Sequence, residues 1–451
     1  MLRNPVINFA IKLWDCKFIS ARNSALFING SKATENFVYV IPYIDFQHDI
    51  KQKELIQEQL LKRKLNIDLN KLESLWSIYQ ELKQRKFEYE KKREEVSREL
   101  GKMIKNDPEN ILTKKLKIQV NLLKDNIKKL KEPLWFAEEA AIVEILKLPN
   151  NLHSRTPDGE NRVLYTHLSP PKIQKDHLVI GKDLGLIELI KNENYYLKGT
   201  AAIFELGAKF YFNNILRKNN FHQFSNPDFV KSLIVEGCGI DHTNPNSSFI
   251  LHHNENSKVN IDSRLHLTGG ASLCSFFAYY TKNILHPKSL PLRYFTMGRQ
   301  YTPSSFEEDS LFHVSQSSVV EIFCATRNEK DLSVLLDDLI EILKSAYSQL
   351  GYHFRLSIVT ADQLHTWESL RLIIEMYSTS QQTYVEIGNI SVSEDYISKR
   401  LMLTYVENKE SHFPHILSGT VLNVPKFLAC VLEQDNDFSL PKEFTVDKWK
   451  I

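Results

Sequence analysis

The 451-residue sequence predicts an α+β fold in which an N-terminal antiparallel helical hairpin precedes a domain built on a mainly antiparallel sheet. Residues 49–148 contain one glycine and two prolines and repeat apolar residues at helical spacing. At Pro149 the composition changes to loop-forming residues. Beyond it, β-type runs such as 249–252 and 383–387 alternate with helical runs such as 331–350, as in an α+β domain.

The overall composition excludes several classes of protein. Hydrophobic residues make up 42% of the chain and charged residues 25%, as in an ordinary globular protein. No run approaches the roughly 18 apolar residues that a membrane-spanning helix needs, so no membrane span is predicted. The cysteines form no CxxC pair, which excludes a disulfide scaffold and the usual structural zinc patterns and fits a reducing compartment. They are Cys16, Cys238, Cys274, Cys324 and Cys430.

Residues 1–48 are predicted to be a targeting segment. The first 34 residues contain five basic residues and a single acidic one, Asp15, and their apolar and basic residues interleave. The segment lacks the long apolar core of a secretory signal. This pattern favours a mitochondrial transit peptide, with an ordinary surface N-terminus as the alternative.

Residues 49–148 are predicted to form two long helices around a short turn. Apolar residues recur at spacings of three, four or their multiples from Leu72 to Leu100 and again from Leu112 to Leu134. The predicted break is 101–109, where an Asn-Asp-Pro sequence supplies turn chemistry. A single helical pair buries little apolar surface, so we expect it either to project as an arm or to pack against a larger domain.

The predicted arm is also basic. Between residues 51 and 131, 22 Lys and Arg accompany 13 Asp and Glu, whereas the rest of the chain is acidic. This asymmetry favours contact with a polyanion such as RNA, and a solvated coiled-coil face is the alternative. The candidate RNA-binding residues are Lys83, Arg85, Lys86, Lys91, Lys92, Arg93, Arg98, Lys114, Lys115, Lys117, Lys124, Lys128 and Lys129.

Residues 149–451 contain the segments that carry a family resemblance. These segments are 148–153, 196–202, 292–301 with 310–321, 384–391 and 415–433. Their order, spacing and loop lengths resemble those of the class II seryl-tRNA synthetases, with 196–202 at the place of the dimer-interface motif. With the arm included, the resemblance covers residues 43–450. It implies a class II aminoacyl-tRNA synthetase-like antiparallel sheet domain that dimerises and whose arm reaches towards tRNA.

The resemblance also assigns positions of the synthetase site. Three keep the family's residue type: Arg299 at the ATP α-phosphate, Glu321 at the substrate amino group and Glu386 at a metal-holding position. Six are altered. They are Gly270 for the Glu that binds serine, Tyr301 for a Glu that grips ATP, His313 for the Arg on the outer phosphates, Ser317 for the Phe that stacks adenine, Asn389 for the metal-holding Ser, and Lys426 for the Arg on the γ-phosphate.

These changes predict that serine activation is lost. Neither Gly270 nor Tyr301 supplies a carboxylate, and Ser317 removes a flat face on which a base stacks. Lys426 lacks the planar fork that grips phosphate, and His313 is mostly neutral at pH 7. Removing one preorganised contact commonly costs about 10²–10³ in rate. Six such changes together predict a protein without enzyme activity and without ATP or another cofactor.

No metal site is predicted elsewhere in the sequence. His252 and His253 are adjacent on a predicted strand, so their side chains point to opposite faces and cannot both serve one ion without distortion. The nearby His242 and His266 are interpreted as scattered polar residues. No Ser-His-Asp arrangement, Walker loop or GxGxxG motif stands out.

An altered site together with an import-like N-terminus resembles the noncatalytic mitochondrial paralogues of seryl-tRNA synthetase. This resemblance implies a matrix protein that binds tRNA without charging it. It also implies a homodimer or a heterodimer with the mitochondrial seryl-tRNA synthetase, and a link to the mitochondrial Lon protease. Two alternatives stay open: an active seryl-tRNA ligase or repurposed adenylating enzyme, and a purely protein-binding scaffold.

Overall fold

The computed structural model describes residues 24–27, 40–190, 194–251, 264–304, 309–434 and 438–449. The predicted targeting segment therefore lies mostly outside the described residues. Over the described ranges, the chain forms two compact units. The first contains residues 44–57 and 66–148, and the second contains residues 40–43, 58–65 and 149–451. None of the helices in these ranges is long and apolar enough to cross a membrane.

The N-terminal helices confirm the predicted helical hairpin. They are α1 (Phe46–Asp49), α2 (Lys53–Lys62), α3 (Leu69–Asn106) and α4 (Ile111–Ile145). The predicted break, 101–109, contains most of the observed turn but begins too early, because α3 continues through Gly101 for five more residues. A glycine inside a helix costs only about 1 kcal/mol relative to alanine. The turn begins at Asp107 instead, and Asn110 caps α4 by accepting a hydrogen bond from the Leu112 amide.

An apolar seam holds α3 against α4. Val96, Val120 and Leu123 are buried together, and Tyr89, Leu100 and Leu116 pack around them. In the same hairpin, the Tyr79 hydroxyl donates a hydrogen bond of 3.0 Å to Glu138 Oε1. Burial and the neighbouring Glu138 carboxylate raise the pKa of Tyr79. The seam leaves the polar faces of both helices to solvent.

The second unit contains seven further helices and sixteen strands in the described residues. The helices are α5 (His177–Asp183), α6 (Thr200–Lys218), α7 (Ser232–Gly237), α8 (Leu273–Tyr280), α9 (Glu329–Gln349), α10 (Tyr396–Leu401) and α11 (Val424–Gln434). The strands are β1 (Arg162–His167), β2 (Ile187–Ile190), β3 (Asn194–Leu197), β4 (His222–Gln223), β5 (Phe229–Lys231), β6 (Phe249–Leu251), β7 (Leu265–Leu267), β8 (Ile284–Leu285), β9 (Leu292–Tyr301), β10 (Gln316–Thr326), β11 (Phe354–Ile358), β12 (Leu370–Ser378), β13 (Thr383–Glu394), β14 (Thr404–Glu407), β15 (Glu410–His412) and β16 (His415–Asn423).

An eight-stranded sheet forms the centre of the second unit. Its order is β1-β11-β12-β13-β16-β10-β9-β4, and every neighbouring pair is antiparallel except the parallel pair of β4 and β9. Smaller sheets pair β2 with β3, β5 and β6 with β7, and β8 and β15 with β14. The predicted α+β class with a mainly antiparallel sheet is therefore confirmed.

Helices α6, α9 and α11 contribute large side chains to one hydrophobic core with the central sheet. Phe212, Tyr347 and Phe427 come from these three helices and are almost completely buried. The Tyr347 hydroxyl donates a 2.7 Å hydrogen bond to the carbonyl of Val421 on β16. Helix α11 begins directly after β16, so Lys426 in its first turn lies near the sheet residues described below.

Residues 58–65, which the sequence analysis assigned to the arm, belong to the second unit. Arg63 is the reason, because its buried guanidinium donates hydrogen bonds to the carbonyls of Asn150, His365 and Glu368. Burial lowers the pKa of Arg63 to about 10. An arginine whose donors are taken by backbone carbonyls fixes this segment to the body.

Candidate functional site

A cavity of about 920 Å³ lies where strands β9, β10, β12, β13 and β16 meet the start of α11. Most of the sequence-predicted site residues line it together. They are Tyr301, His313, Ser317, Glu321, Glu386, Asn389 and Lys426. The roles that the family resemblance assigns to these residues stay predictions, and Arg299 and Gly270 are not among the lining residues.

Arg299 is the first exception. On the β9–β10 hairpin, Ser317 lies opposite Gln300 and Ser318 lies opposite Arg299, so Arg299 shares a face with Ser318 and not with Ser317. The Arg299 guanidinium donates a 2.8 Å hydrogen bond to the hydroxyl of Tyr195 and lies 3.7 Å from Glu205. Arg299 is not among the residues that line the cavity, and Tyr195 and Glu205 engage its guanidinium, so its assignment to the ATP α-phosphate stays a prediction.

Gly270 is the second exception. Its amide donates a 2.7 Å hydrogen bond to Asp228, and its carbonyl accepts one of 3.0 Å from the Asn226 side chain. A Cβ atom added at Gly270 would lie 2.7 Å from the Asn226 carbonyl oxygen. No side chain fits there unless the backbone moves. Position 270, which was expected to bind the substrate serine, therefore cannot hold a side chain, because the Asn226 backbone lies too close.

Glu321 lies on the cavity wall in a nearly dry environment. It is 4% exposed, and Oε2 accepts a 2.6 Å hydrogen bond from the Thr420 hydroxyl. Burial raises the pKa of Glu321 to about 8, against the opposing effect of the Thr420 hydrogen bond. The carboxyl is consequently mostly protonated at neutral pH and offers little negative charge to an amino group.

Glu386 is a cavity carboxylate with two hydrogen-bond donors. Its Oε1 accepts a hydrogen bond of 2.6 Å from Arg371 Nη2 and one of 3.0 Å from Asn389 Nδ2. Burial alone would raise the pKa of Glu386, but Arg371, Lys426 and Asn389 together hold it below its ordinary value. The carboxylate is ionised and internally neutralised.

Arg371 is a cavity residue that the sequence analysis missed. It lies on β12, between Leu370 and Leu372, and only 15% of its side chain is exposed. Its Nε lies 3.9 Å from Glu368, whose side chain is 2% exposed. The sequence did contain one indication of its role. Arg371 is a charged residue within an otherwise apolar run of this strand, and such a residue is rarely buried without a partner.

A stacked aromatic pair forms another part of the cavity wall. The rings of His365 and Trp367 are parallel, at an interplanar angle of 2° and a centroid distance of 4.5 Å. Burial lowers the pKa of His365, which favours its neutral form. One face of Trp367 is therefore already covered by His365, and Ser317 provides no flat surface in place of the family's phenylalanine.

The histidines near residue 250 have structural partners where they are described. His252 and His253 lie outside the described residues. His266 is buried between the hydroxyls of Ser232 and Ser248, at 2.9 and 2.8 Å, and burial lowers its pKa to about 4. Within the described ranges, no group of three or more His, Cys, Asp or Glu side chains is arranged to hold a metal ion.

The basic residues of the arm lie on α3 and α4, outside the apolar seam. Four of them make ion pairs along the arm: Arg85 with Glu81, Lys86 with Glu90, Arg98 with Glu94, and Lys114 with Glu109. Exposed pairs of this kind contribute little. The remaining candidates have no ion pair among the described residues and are exposed or half-buried. They are Lys83, Lys91, Lys92, Arg93, Lys115, Lys117, Lys124, Lys128 and Lys129.

The core of the second unit matches a known family. Residues 266–435 match the model of the tRNA synthetase class II core domain (G, H, P, S and T). Over 430 residues the chain is 32% identical to the serine–tRNA synthetase-like protein Slimp of Drosophila melanogaster, covering 92% of this chain and 90% of that one. This chain belongs to the seryl-tRNA synthetase family. The mitochondrial serine–tRNA ligase of Mus musculus is 26% identical, over 88% of this chain and 80% of that one.

Solved structures of the seryl-tRNA synthetase family share the fold. The cytoplasmic serine–tRNA ligase of Naegleria fowleri, in complex with AMP, matches with a TM-score of 0.74 at 17% identity, covering 87% of this chain and 93% of that one. The Pyrococcus horikoshii seryl-tRNA synthetase complexed with ATP gives a TM-score of 0.72 at 17% identity, over 89% and 97%. At these identities the likeness establishes the class II fold.

The seryl-tRNA synthetase family implies a metal at positions 386 and 389, and the residues present do not fit one. A divalent cation needs carboxylate or carbonyl oxygens directed into its coordination sphere. Here Oε1 of Glu386 is taken by Arg371, and the Asn389 amide directs its hydrogens at that same oxygen. Protein donors already use one carboxylate oxygen of Glu386, and the Asn389 group directed at that oxygen is its amino group, which cannot ligate a cation.

Proposed function

We propose that this protein is a noncatalytic mitochondrial paralogue of seryl-tRNA synthetase that binds tRNA of the serine type and neither binds ATP nor charges tRNA. The observation that carries the loss of activity is the ion pair between Glu386 and Arg371. It neutralises a retained carboxylate of the family site with a side chain of the same protein. The altered positions around it, from Tyr301 to Lys426, support the same interpretation.

Amino-acid-dependent exchange of pyrophosphate into ATP tests the proposed loss of catalysis. We expect no exchange above background with serine or with any other standard amino acid. An active family member assayed in parallel is the positive control. Turnover by the wild-type chain with serine would instead identify an active ligase, and turnover with another amino acid a repurposed adenylating enzyme.

RNA binding by the arm is supported by its charge. Nine exposed or half-buried Lys and Arg side chains of α3 and α4 lack ion pairs among the described residues, and phosphate contacts from such side chains give salt-dependent affinity. A gel shift with serine tRNA at moderate salt tests this part. Failure of the wild-type chain to bind would favour the purely protein-binding scaffold.

Dimerisation is expected from the family, and the proposed partner is a second copy or the mitochondrial seryl-tRNA synthetase. Large apolar side chains between residues 163 and 206 are exposed in the single chain. Their exposure supports a dimer in which a partner chain covers this surface. They include Val163, Leu168, Ile173, Val179, Leu184 and Tyr196. Light scattering of the chain alone and mixed with the ligase distinguishes the two partners.

A mitochondrial matrix location and a link to the Lon protease complete the proposal. The basic, acid-poor sequence of residues 1–48 and the similarity to a mitochondrial ligase of mouse support the location. Purification from mitochondria, with identification of the bound proteins and RNAs, tests both statements. Absence of the protease or of tRNA from that material would remove the corresponding partner.

A further inference from the structure

We infer that Arg371 is a built-in cation that excludes divalent metal ions from the cavity, an inference that rests on the proposed noncatalytic function. Arg371 would then determine which ligands the cavity accepts. Positions 386 and 389 are where the family holds a metal, and Arg371 comes to one of them from the neighbouring strand, β12.

The contact occupies one of the two carboxylate oxygens with which Glu386 could bind a metal. Arg371 Nη2 lies 2.6 Å from Glu386 Oε1, and Asn389 Nδ2 donates to the same oxygen at 3.0 Å. The second charged side chain near this carboxylate is Lys426, whose ammonium also lowers the pKa of Glu386. Two positive groups beside a half-buried carboxylate repel a dication at short range, where little water screens the charges.

Arg371 is held from both sides and cannot easily swing away. Glu368 lies 3.9 Å from its Nε, and the Glu368 carboxylate is itself fixed by the Ser391 hydroxyl and the His365 amide. If Arg371 moved out to admit a metal, it would leave two carboxylates of the cavity wall without their cation. A buried carboxylate that loses its partner is strongly destabilised.

Another Arg–Glu pair of the same sheet provides a matched control. Arg355 on β11 binds Glu375 on β12 through two hydrogen bonds, of 2.7 and 3.0 Å. Neither residue is among those that line the cavity. Replacing Arg355 therefore breaks an equivalent partly buried pair at a distance from the metal position.

Titration of the full-length chain with Mn²⁺, followed by the electron paramagnetic resonance of the free ion, tests the inference without ATP. We expect no saturable site in the wild type or in Arg355→Met. Arg371→Met should gain a saturable site that binds Mn²⁺ at least about 10-fold tighter than any residual binding by the wild type. Metal affinity commonly changes by this much when a group around the ligands is replaced. The gain should disappear in Arg371→Met/Glu386→Gln.

The outcomes separate this inference from the proposed function. If circular dichroism shows that Arg371→Met is unfolded, Arg371→Gln replaces it, because glutamine keeps a donor for Glu386 without the charge. A folded variant that gains no site, or a wild type that binds Mn²⁺ as tightly as the variant, overturns the inference. Pyrophosphate exchange by the wild type, with no Mn²⁺ site in the absence of ATP, would overturn only the proposed function.

Discussion

The arm and the cavity use charged residues in opposite ways. On α3 and α4, many basic side chains face solvent without an ion-pair partner among the described residues. In the cavity, Arg371 lies beside both Glu386 and Glu368, and Glu321 is largely uncharged at neutral pH. Charge that is exposed remains available to an external polyanion, whereas charge that is neutralised internally is not. The difference supports the proposal that the arm, and not the cavity, contacts a ligand.

The largest expected effect comes from reversing the charge of the arm. The fourfold change of Lys91, Lys92, Lys128 and Lys129 to Glu should weaken tRNA binding at least about 10²-fold at 150 mM salt, because each change removes a phosphate contact and adds repulsion. Fluorescence anisotropy with labelled serine tRNA measures the loss.

The matched control reverses four exposed lysines of the second unit. These are Lys172, Lys182, Lys218 and Lys288. If this control weakens binding as much as the arm variant does, total charge and not the arm is responsible. Circular dichroism at 222 nm verifies that both variants keep their helices.

Cavity-creating changes should separate the stability of the two units. Leu123→Ala removes part of the small α3–α4 seam, and Leu339→Ala removes part of the large core under the central sheet. Each should cost about 2–5 kcal/mol of unfolding free energy. Hydrogen exchange should show faster exchange in the arm for the first variant and in the sheet for the second. Equal acceleration throughout the chain in either variant would mean that arm and body unfold together.

A smaller effect should appear in the pH dependence of stability. The pKa of Glu321 is about 8 in the folded chain, against an ordinary value of 4.5. Between these values the unfolded chain loses a proton that the folded chain keeps, so stability falls as pH rises. Glu321→Gln does not titrate, and its stability relative to wild type should increase by on the order of 1 kcal/mol per pH unit across this window.

Urea denaturation at pH 5, 6.5 and 8 measures this difference. Glu410→Gln, at an exposed position on β15, is the control and should show no such trend. A constant difference between Glu321→Gln and wild type at all three pH values would mean that Glu321 stays ionised in the folded protein.

The smallest expected effect concerns single arm lysines. Lys91→Ala should weaken tRNA binding by less than about 10-fold and reduce the slope of log affinity against log salt by about 1. Arg85→Ala, at a residue already paired with Glu81, should change that slope less. A larger slope change for Arg85→Ala would mean that its ion pair opens when tRNA binds.

Local pattern predicted most of the fold, because it depends on residues close in sequence. Helical spacing located α3 and α4, and the β-type runs located β6 and β13. The end of α3 was misplaced because a lone glycine resembles a helix terminator, yet at Gly101 the helix simply continues. Whether a segment such as 58–65 joins one unit or the other depends on contacts far away in sequence, here those of Arg63.

Strand register limited how well the residues of the cavity could be predicted from the sequence. Glu321 and Glu386 line the cavity and Arg299 does not. A shift of one residue in strand pairing reverses the face of a side chain, so motif spacing alone does not fix which side chains reach the cavity. Arg371 was missed because its importance comes from a neighbouring strand and not from any motif. Such cross-strand partners become visible only when the sheet is assembled.

The tight backbone around Gly270 limits what can replace this residue. A glutamate here would bring its Cβ against the Asn226 carbonyl, so the segment that carries Asn226 and Asp228 would have to shift first. If serine activation is lost as proposed, regaining a carboxylate at this position would need several coordinated substitutions, each of no benefit by itself. The close-packed backbone would then make that loss difficult to reverse by evolution.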